Sequence, residues 1–142
     1  MKSKIIFICT GNSCRSQIAE GLFRDETGDK YEVFSAGSHP SRLHPAAIKV
    51  MAEWGIDIQE QESEKIDKYL NKGINIVITV CDNAKSTCPN FPDGKIIIHW
   101  SIEDPFHGWN DNEEDLEPYR MARNEIKAKI RDLLQKDEIK NL

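Results

Sequence analysis

Apolar positions fall into short continuous runs separated by longer stretches of helical period. Ile5, Ile6, Phe7 and Ile8 form an unbroken run within Lys4 to Cys9, and Ile74 to Val80 is the most strand-like stretch of the chain. Short β-branched runs of this kind predict strands buried on both faces. Tyr31 to Ser35, ending at Gly37, and Lys95 to His99 read as two more strands. From Ser16 to about Thr27 the apolar residues Ile18, Ala19, Leu22 and Phe23 recur at helical spacing, with Gly28 as the stop. A second helix is predicted over His44 to Trp54, with Pro45 in its first turn and Gly55 at its end. A short third helix is predicted over Ser63 to Asn71, with Ser63 as its cap. The last is a long amphipathic helix over about Leu116 to Leu134, carrying Met121, Ile126, Ile130, Leu133 and Leu134. Strands alternating with helices predict an α/β fold, here a three-layer sandwich with a four-stranded parallel sheet flanked by helices. With no internal repeat, low-complexity tract or linker, residues 1–142 read as one domain.

Composition narrows the functional classes. A net charge of -5 argues against binding nucleic acid or an anionic membrane, both of which need a basic surface. An anionic ligand therefore requires a local positive site. No apolar run approaches the roughly 20 residues of a spanning helix. The Met-Lys-Ser-Lys start enters the first strand directly, which reads as cytoplasmic. In that compartment the four cysteines, at 9, 14, 81 and 88, are expected to be catalytic, redox-active or metal-binding rather than structural disulfides.

The segment Cys9-Thr10-Gly11-Asn12-Ser13-Cys14-Arg15-Ser16 leaves a strand and enters a helix, where α/β proteins place their ligand sites. Backbone N–H groups of such a loop, together with the positive end of the helix dipole, form a cradle for a tetrahedral oxyanion. Arg15 adds a planar fork for two of its oxygens. The same surroundings favour the thiolate of Cys9, the nucleophilic form, and Ser16 is placed to hydrogen-bond that sulfur. Cys14 reads as a packed thiol beneath the loop. Cys81 ends the third strand and, in a parallel sheet, emerges at the same edge as Cys9. Cys88 follows seven residues later in polar sequence ahead of Pro89. A buried cysteine beside an unrelated surface one, or a metal pair completed by His99, are the competing readings of these two thiols.

These residues resemble the low-molecular-weight protein tyrosine phosphatase superfamily, whose anion loop is Cys-x5-Arg-Ser near the N-terminus. Ser35-Ala36-Gly37 and Asp104-Pro105 match further features of that superfamily. Within it the chain looks like the thioredoxin-coupled arsenate reductases. The match rests on Ile8 to Gln17, on Cys81 with Cys88-Pro89, and on His99-Trp100 ahead of Glu103-Asp104-Pro105.

The resemblance implies that arsenate is held by the loop of Thr10, Gly11, Asn12, Ser13 and Cys14 with Arg15, and that phosphate or sulfate compete for it. It implies that Cys9 attacks arsenic while Asp104 acts as general acid, and that Cys81 and then Cys88 form disulfides which thioredoxin reduces. If residues 82–88 are helical, seven steps of about 1.5 Å separate Cys81 and Cys88 by about 10 Å, beyond the roughly 7 Å a disulfide spans. The segment must then unwind. The resemblance also implies a potassium ion at Asn12, Glu20, Ser35 and Asp67, and the chain is expected to be a monomer. The rival it carries is a tyrosine phosphatase working through a Cys9 phosphoenzyme. Against that rival, Phe106 stands where those phosphatases often have tyrosine, and Ser38 to His44 offers no aromatic wall beyond histidines. Trp54, Trp100 and Trp109 are expected to serve only packing.

Overall fold

The computed structural model describes residues 2–140. The continuous apolar runs form four strands, β1 (Ser3–Cys9), β2 (Tyr31–Gly37), β3 (Ile76–Thr79) and β4 (Ile96–His99). They make one parallel sheet in the order β2-β1-β3-β4. β1 and β3 occupy the centre because their side chains, Ile5 to Cys9 and Ile76 to Thr79, are buried on both faces. The helices are α1 (Arg15–Thr27), α2 (Pro45–Ala52), α3 (Asp82–Thr87), α4 (Glu117–Leu134) and α5 (Asp137–Lys140). α1 packs on β1, β2 and α4, so the expected sheet flanked by helices is found. Among the described residues no helix is long and apolar enough to cross a membrane.

This strand order fixes where chemistry can sit. The chain leaves β1 toward β2 on one side, while β3 pairs on the other, so the crevice at the carboxyl ends of β1 and β3 is the switch point of the sheet. Cys9 is the last residue of β1, and the Val80 amide donates to Ile8 O at 2.8 Å, which brings Cys81 beside Thr10.

Three expectations are corrected. The segment predicted as a third helix is a four-residue 3-10 turn, Ile66–Tyr69. Lys65 is drawn into a parallel bridge with Gly37, which keeps the preceding residues extended, and the Ser63 hydroxyl donates to Gly11 O at 3.3 Å instead of capping. Met121 is 61% exposed, because Tyr119, Ala122, Ile126, Ile130 and Leu133 define the buried stripe and Met121 lies off it. α5 and a 3-10 turn at Glu113–Asp115 have no counterpart in the sequence reading.

Gly37 shows how tightly the sheet end is packed against the loop. A Cβ there would strike Thr10 O and lie 2.9 Å from Asn12 N and 3.0 Å from Cys9 O, all backbone atoms. Gly37→Ala is expected to lower stability by about 1–3 kcal/mol and to displace the loop. Chemical denaturation, with phosphate protection of the variant against melting as the second readout, checks this. Full phosphate protection in a destabilised variant would show that the loop tolerates the push.

Candidate active site

The loop after β1 wraps around the Cys9 sulfur. Ser16 Oγ lies 2.9 Å from Sγ, and the Asn12 amide donates to it at 3.2 Å. Asn12 takes the turn with φ 46°, a left-handed conformation that asparagine tolerates better than most residues. Its side chain is buried and fully used. Nδ2 donates to Ser16 Oγ at 2.8 Å and to Ser35 Oγ at 3.0 Å, while Oδ1 accepts from the Glu64 amide at 2.7 Å. α1 begins at Arg15 with no acidic residue in its first turn, so the positive end of its dipole is left for a ligand.

Arg15 reaches across the loop, donating from Nη1 to Ile102 O at 2.9 Å, with Nη2 3.8 Å from Asp104 Oδ2. Asp104 stands at the mouth, its carboxylate 63% exposed and its Oδ1 accepting from the Phe106 amide at 3.1 Å. Cys9, Thr10, Gly11, Ser13, Cys14 and Arg15 line one cavity of about 200 Å³, with Ser41, Asp104, Phe106 and Trp109 as its remaining wall. Every residue predicted for the anion loop except buried Asn12 and Ser16 thus faces this space, and those two brace it from beneath. Burial, with the neighbouring Cys9 sulfur, pushes the Cys14 thiol far up, so Cys14 is no rival nucleophile.

Cys81 is buried at the N-cap of α3, where its sulfur accepts from the Ala84 amide at 3.4 Å and lies 3.5 Å from Thr10 Oγ1. β3 ends at Thr79, so Cys81 lies just beyond it, and it meets the loop at Thr10, the residue that follows Cys9. Asn83 Nδ2 donates to the same Thr10 hydroxyl at 2.9 Å, tying α3 to the anion loop. Cys88 is the C-cap of α3, half-buried, its thiol pushed up by burial. The helix therefore does hold Cys81 and Cys88 apart, and all four cysteines are free. His99 is engaged elsewhere: Nδ1 lies 2.7 Å from Thr79 Oγ1 and Nε2 2.9 Å from Asp82 Oδ1. Among the described residues no group of three or more His, Cys, Asp or Glu is arranged to hold a metal ion.

The four residues expected around potassium are only partly gathered. Asn12, Ser35 and Glu20 are joined by hydrogen bonds, but Asp67 is exposed, 3.9 Å from Lys65, and does not line the adjoining cavity, where Glu64 stands. Both Glu20 oxygens are taken, Oε1 by Ser35 Oγ at 2.5 Å and Oε2 by Arg24 Nη2 at 2.6 Å. With an internal cation already on the carboxylate and Asp67 standing apart in solvent, these residues do not fit a resident potassium ion.

Sequence reasoning missed the supports of the loop that carries Asp104. His44 is fully buried as the N-cap of α2. Its Nδ1 accepts from the Ala46 amide at 2.9 Å, which leaves Nε2–H to donate to Gly108 O at 2.8 Å. Burial holds His44 below its ordinary pKa, in keeping with this neutral tautomer. The Tyr119 hydroxyl accepts from the His107 amide at 2.9 Å, so the loop carrying Asp104 is fastened from α2 and α4. The histidine ahead of Pro45 was the one available signal. Trp109 also departs from the packing role expected of it. It stacks on His44, meets Phe106 edge-on, carries Arg42 4.4 Å above its ring and lines the anion cavity. The aromatic wall thought absent is present, supplied by residues after Asp104.

Residues 4–141 match the low molecular weight phosphotyrosine protein phosphatase family. The chain belongs to this family. Among curated family members, the arsenate reductase of Halalkalibacterium halodurans is 42% identical over 130 residues, 92% of this chain and 94% of that protein. A solved arsenate reductase in its phosphate-binding state superposes with a TM-score of 0.75 at 36% identity, over 94% of this chain and 96% of that one. A thioredoxin-dependent arsenate reductase from Corynebacterium glutamicum superposes with a TM-score of 0.74 at 28% identity, over 94% of this chain and 61% of that one.

Proposed function

We propose that this protein reduces arsenate to arsenite by a three-thiol relay regenerated by thioredoxin. The observation that carries the reading is that buried Cys81 meets Thr10, the residue next to buried Cys9, while Cys88 stands at the far end of the helix that Cys81 caps. Relatives named arsenate reductases, one of the structural neighbours thioredoxin-dependent, support it.

In this reading the loop amides and Arg15 hold arsenate while the Cys9 thiolate attacks arsenic. Asp104 protonates the departing oxygen, which leaves as water. Cys81 then attacks the Cys9 sulfur; the electron pair of the S–As bond stays on arsenic, arsenite leaves, and a Cys9–Cys81 disulfide remains. Cys88 attacks Cys81, freeing Cys9, and the dithiol of thioredoxin reduces the Cys81–Cys88 bond. An apolar groove lined by Cys88, Pro89, Phe91 and exposed Ile97 offers that reductant a surface beside the sulfur. Phosphate shares the shape and charge of arsenate and competes for the cradle. Only arsenate is reduced by thiols, so discrimination is chemical.

The last exchange requires α3 to open. Amide exchange at residues 84–88 is expected to be at least tenfold faster in the Cys81–Cys88 disulfide form than in the reduced protein, a loss of about 1.4 kcal/mol of local protection. Equal protection in the two forms would rule out the unwinding step.

A second reading, hydrolysis of aryl phosphates through a Cys9 phosphoenzyme, is favoured by Phe106 and Trp109 over the anion loop. The deciding experiment is arsenate-dependent NADPH oxidation with thioredoxin and thioredoxin reductase, beside a p-nitrophenyl phosphate assay. Arsenate turnover with weak phosphatase activity supports the relay; strong phosphatase activity without arsenate turnover supports the second reading.

A further inference from the structure

Beneath the anion loop a continuous line of hydrogen bonds runs from a surface guanidinium to the nucleophile. Arg24 donates to Glu20, Ser35 to Glu20, Asn12 to Ser35 and to Ser16, and Ser16 Oγ meets the Cys9 sulfur. The direction of each bond is forced. A carboxylate only accepts, so Ser35 must give Glu20 its single proton and accept from Asn12. Asn12 cannot flip, because its Oδ1 accepts the Glu64 amide. Both Nδ2 hydrogens are therefore spent, one on each serine. Ser16, already an acceptor, is left with its O–H to donate to Cys9, the sense that favours a thiolate.

A second branch starts at the same residue. Arg24 Nη1 donates to Gln61 Oε1 at 3.2 Å, Gln61 Nε2 donates to Gln17 Oε1 at 2.9 Å, and Gln17 Nε2 donates to Asn12 O at 2.9 Å. The left-handed residue of the loop is thus held by its side chain along one branch and by its carbonyl along the other. Arg24 itself is fixed by donating to Val33 O at 2.9 Å.

The whole arrangement turns on Glu20 being ionised, and its side chain is only 11% exposed. A carboxylate so enclosed needs a counter-charge. The cavity beside it, about 340 Å³, is bordered by Asp57, Glu60, Glu62 and Glu64, and Arg24 is its one basic residue.

We infer that Arg24 is a built-in cation: its guanidinium supplies, through Glu20, the positive charge for which the family resemblance implies potassium, and it positions Asn12 and Ser16 so that Ser16 donates to Cys9. Arg24 touches no reacting atom and is a positioning residue. The inference rests on Cys9 being the nucleophile, not on what Cys9 attacks.

The test is the pH dependence of Cys9 alkylation by iodoacetamide, read peptide by peptide by mass spectrometry, in potassium chloride and in tetramethylammonium chloride at equal ionic strength. Melting temperature is recorded in the same two salts. The wild-type protein is expected to give the same profile and the same melting temperature in both. Arg24→Ala is expected to alkylate about tenfold more slowly at neutral pH, its profile moved up by about one unit. Potassium, but not tetramethylammonium, should restore part of that loss, and Arg24→Lys should stay near wild type. A wild-type melting temperature raised by potassium alone would overturn the inference without any variant. So would an Arg24→Ala profile that matches wild type in both salts. If wild-type Cys9 alkylates no faster than an ordinary thiol, it is the nucleophile assignment that fails, whatever the salts show.

Discussion

Cys81→Ser is expected to abolish arsenate turnover with thioredoxin, by at least about 10³-fold, while leaving p-nitrophenyl phosphate hydrolysis within a few-fold of wild type. The split follows from where the sulfur sits. Cys81 is not among the residues lining this cavity and meets it at the Thr10 hydroxyl, so the loop, Cys9 and Asp104 are expected to remain intact without it. In the proposed relay, what is lost is the second thiol that takes the Cys9 sulfur off arsenic. Cys88→Ser should fail at a different point. One equivalent of arsenite is released per protein, a Cys9–Cys81 disulfide accumulates, and turnover then stops. Rapid-quench measurement of arsenite with mass spectrometry of the trapped disulfide separates the two variants. Steady turnover by either serine variant would remove its cysteine from the relay.

Arg15→Lys is expected to lower kcat/KM for arsenate by about 10²–10³-fold, equivalent to about 2.7–4 kcal/mol of transition-state stabilisation. The charge survives this change but the geometry does not. In the structure one guanidinium nitrogen is committed to Ile102 O, which ties Arg15 to the segment leading into Asp104, while another faces the Asp104 carboxylate. A planar fork makes both contacts and still presents donors to two oxygens of the ligand; an ammonium is a single point with no fixed plane. Folding should be little affected, because the fold's apolar core does not include this side chain. The thioredoxin-coupled assay together with a thermal melt tests both statements. A fall of less than tenfold would mean that Arg15 contributes charge alone.

Much of this molecule is written in local pattern. The runs Ile5 to Ile8 and Ile76 to Ile78 have to be strands buried on both faces, because no polar face is available to turn toward water. Cys9 to Ser16 had to be a loop between a strand and a helix, and that placement alone implies donors pointing inward. The structure supplies the helix between Cys81 and Cys88, and the separation expected of a helical segment then follows from its rise. Where local pattern misled, a partner distant in sequence was responsible. Ser63 looks like a helix cap but is drawn to the anion loop, and Met121 is apolar yet lies off the stripe set by Tyr119, Ile126 and Ile130.

The sequence by itself determined the four strands, the helices that follow β1 and β2, the long helix near the end and the position of Cys9 between a strand and a helix, because hydrophobic period and motif spacing are properties of neighbours along the chain. Only the tertiary structure decided what surrounds that chemistry. It is there that Thr10 is found beside Cys81, that His44 and Tyr119 fasten the loop that carries Asp104, and that Trp109 walls the cavity. It is there too that Arg24 takes hold of Glu20 and Asp67 is left in solvent. These pairings join residues of different elements. Their distances are set by how the elements pack, and no periodicity within one element carries that information.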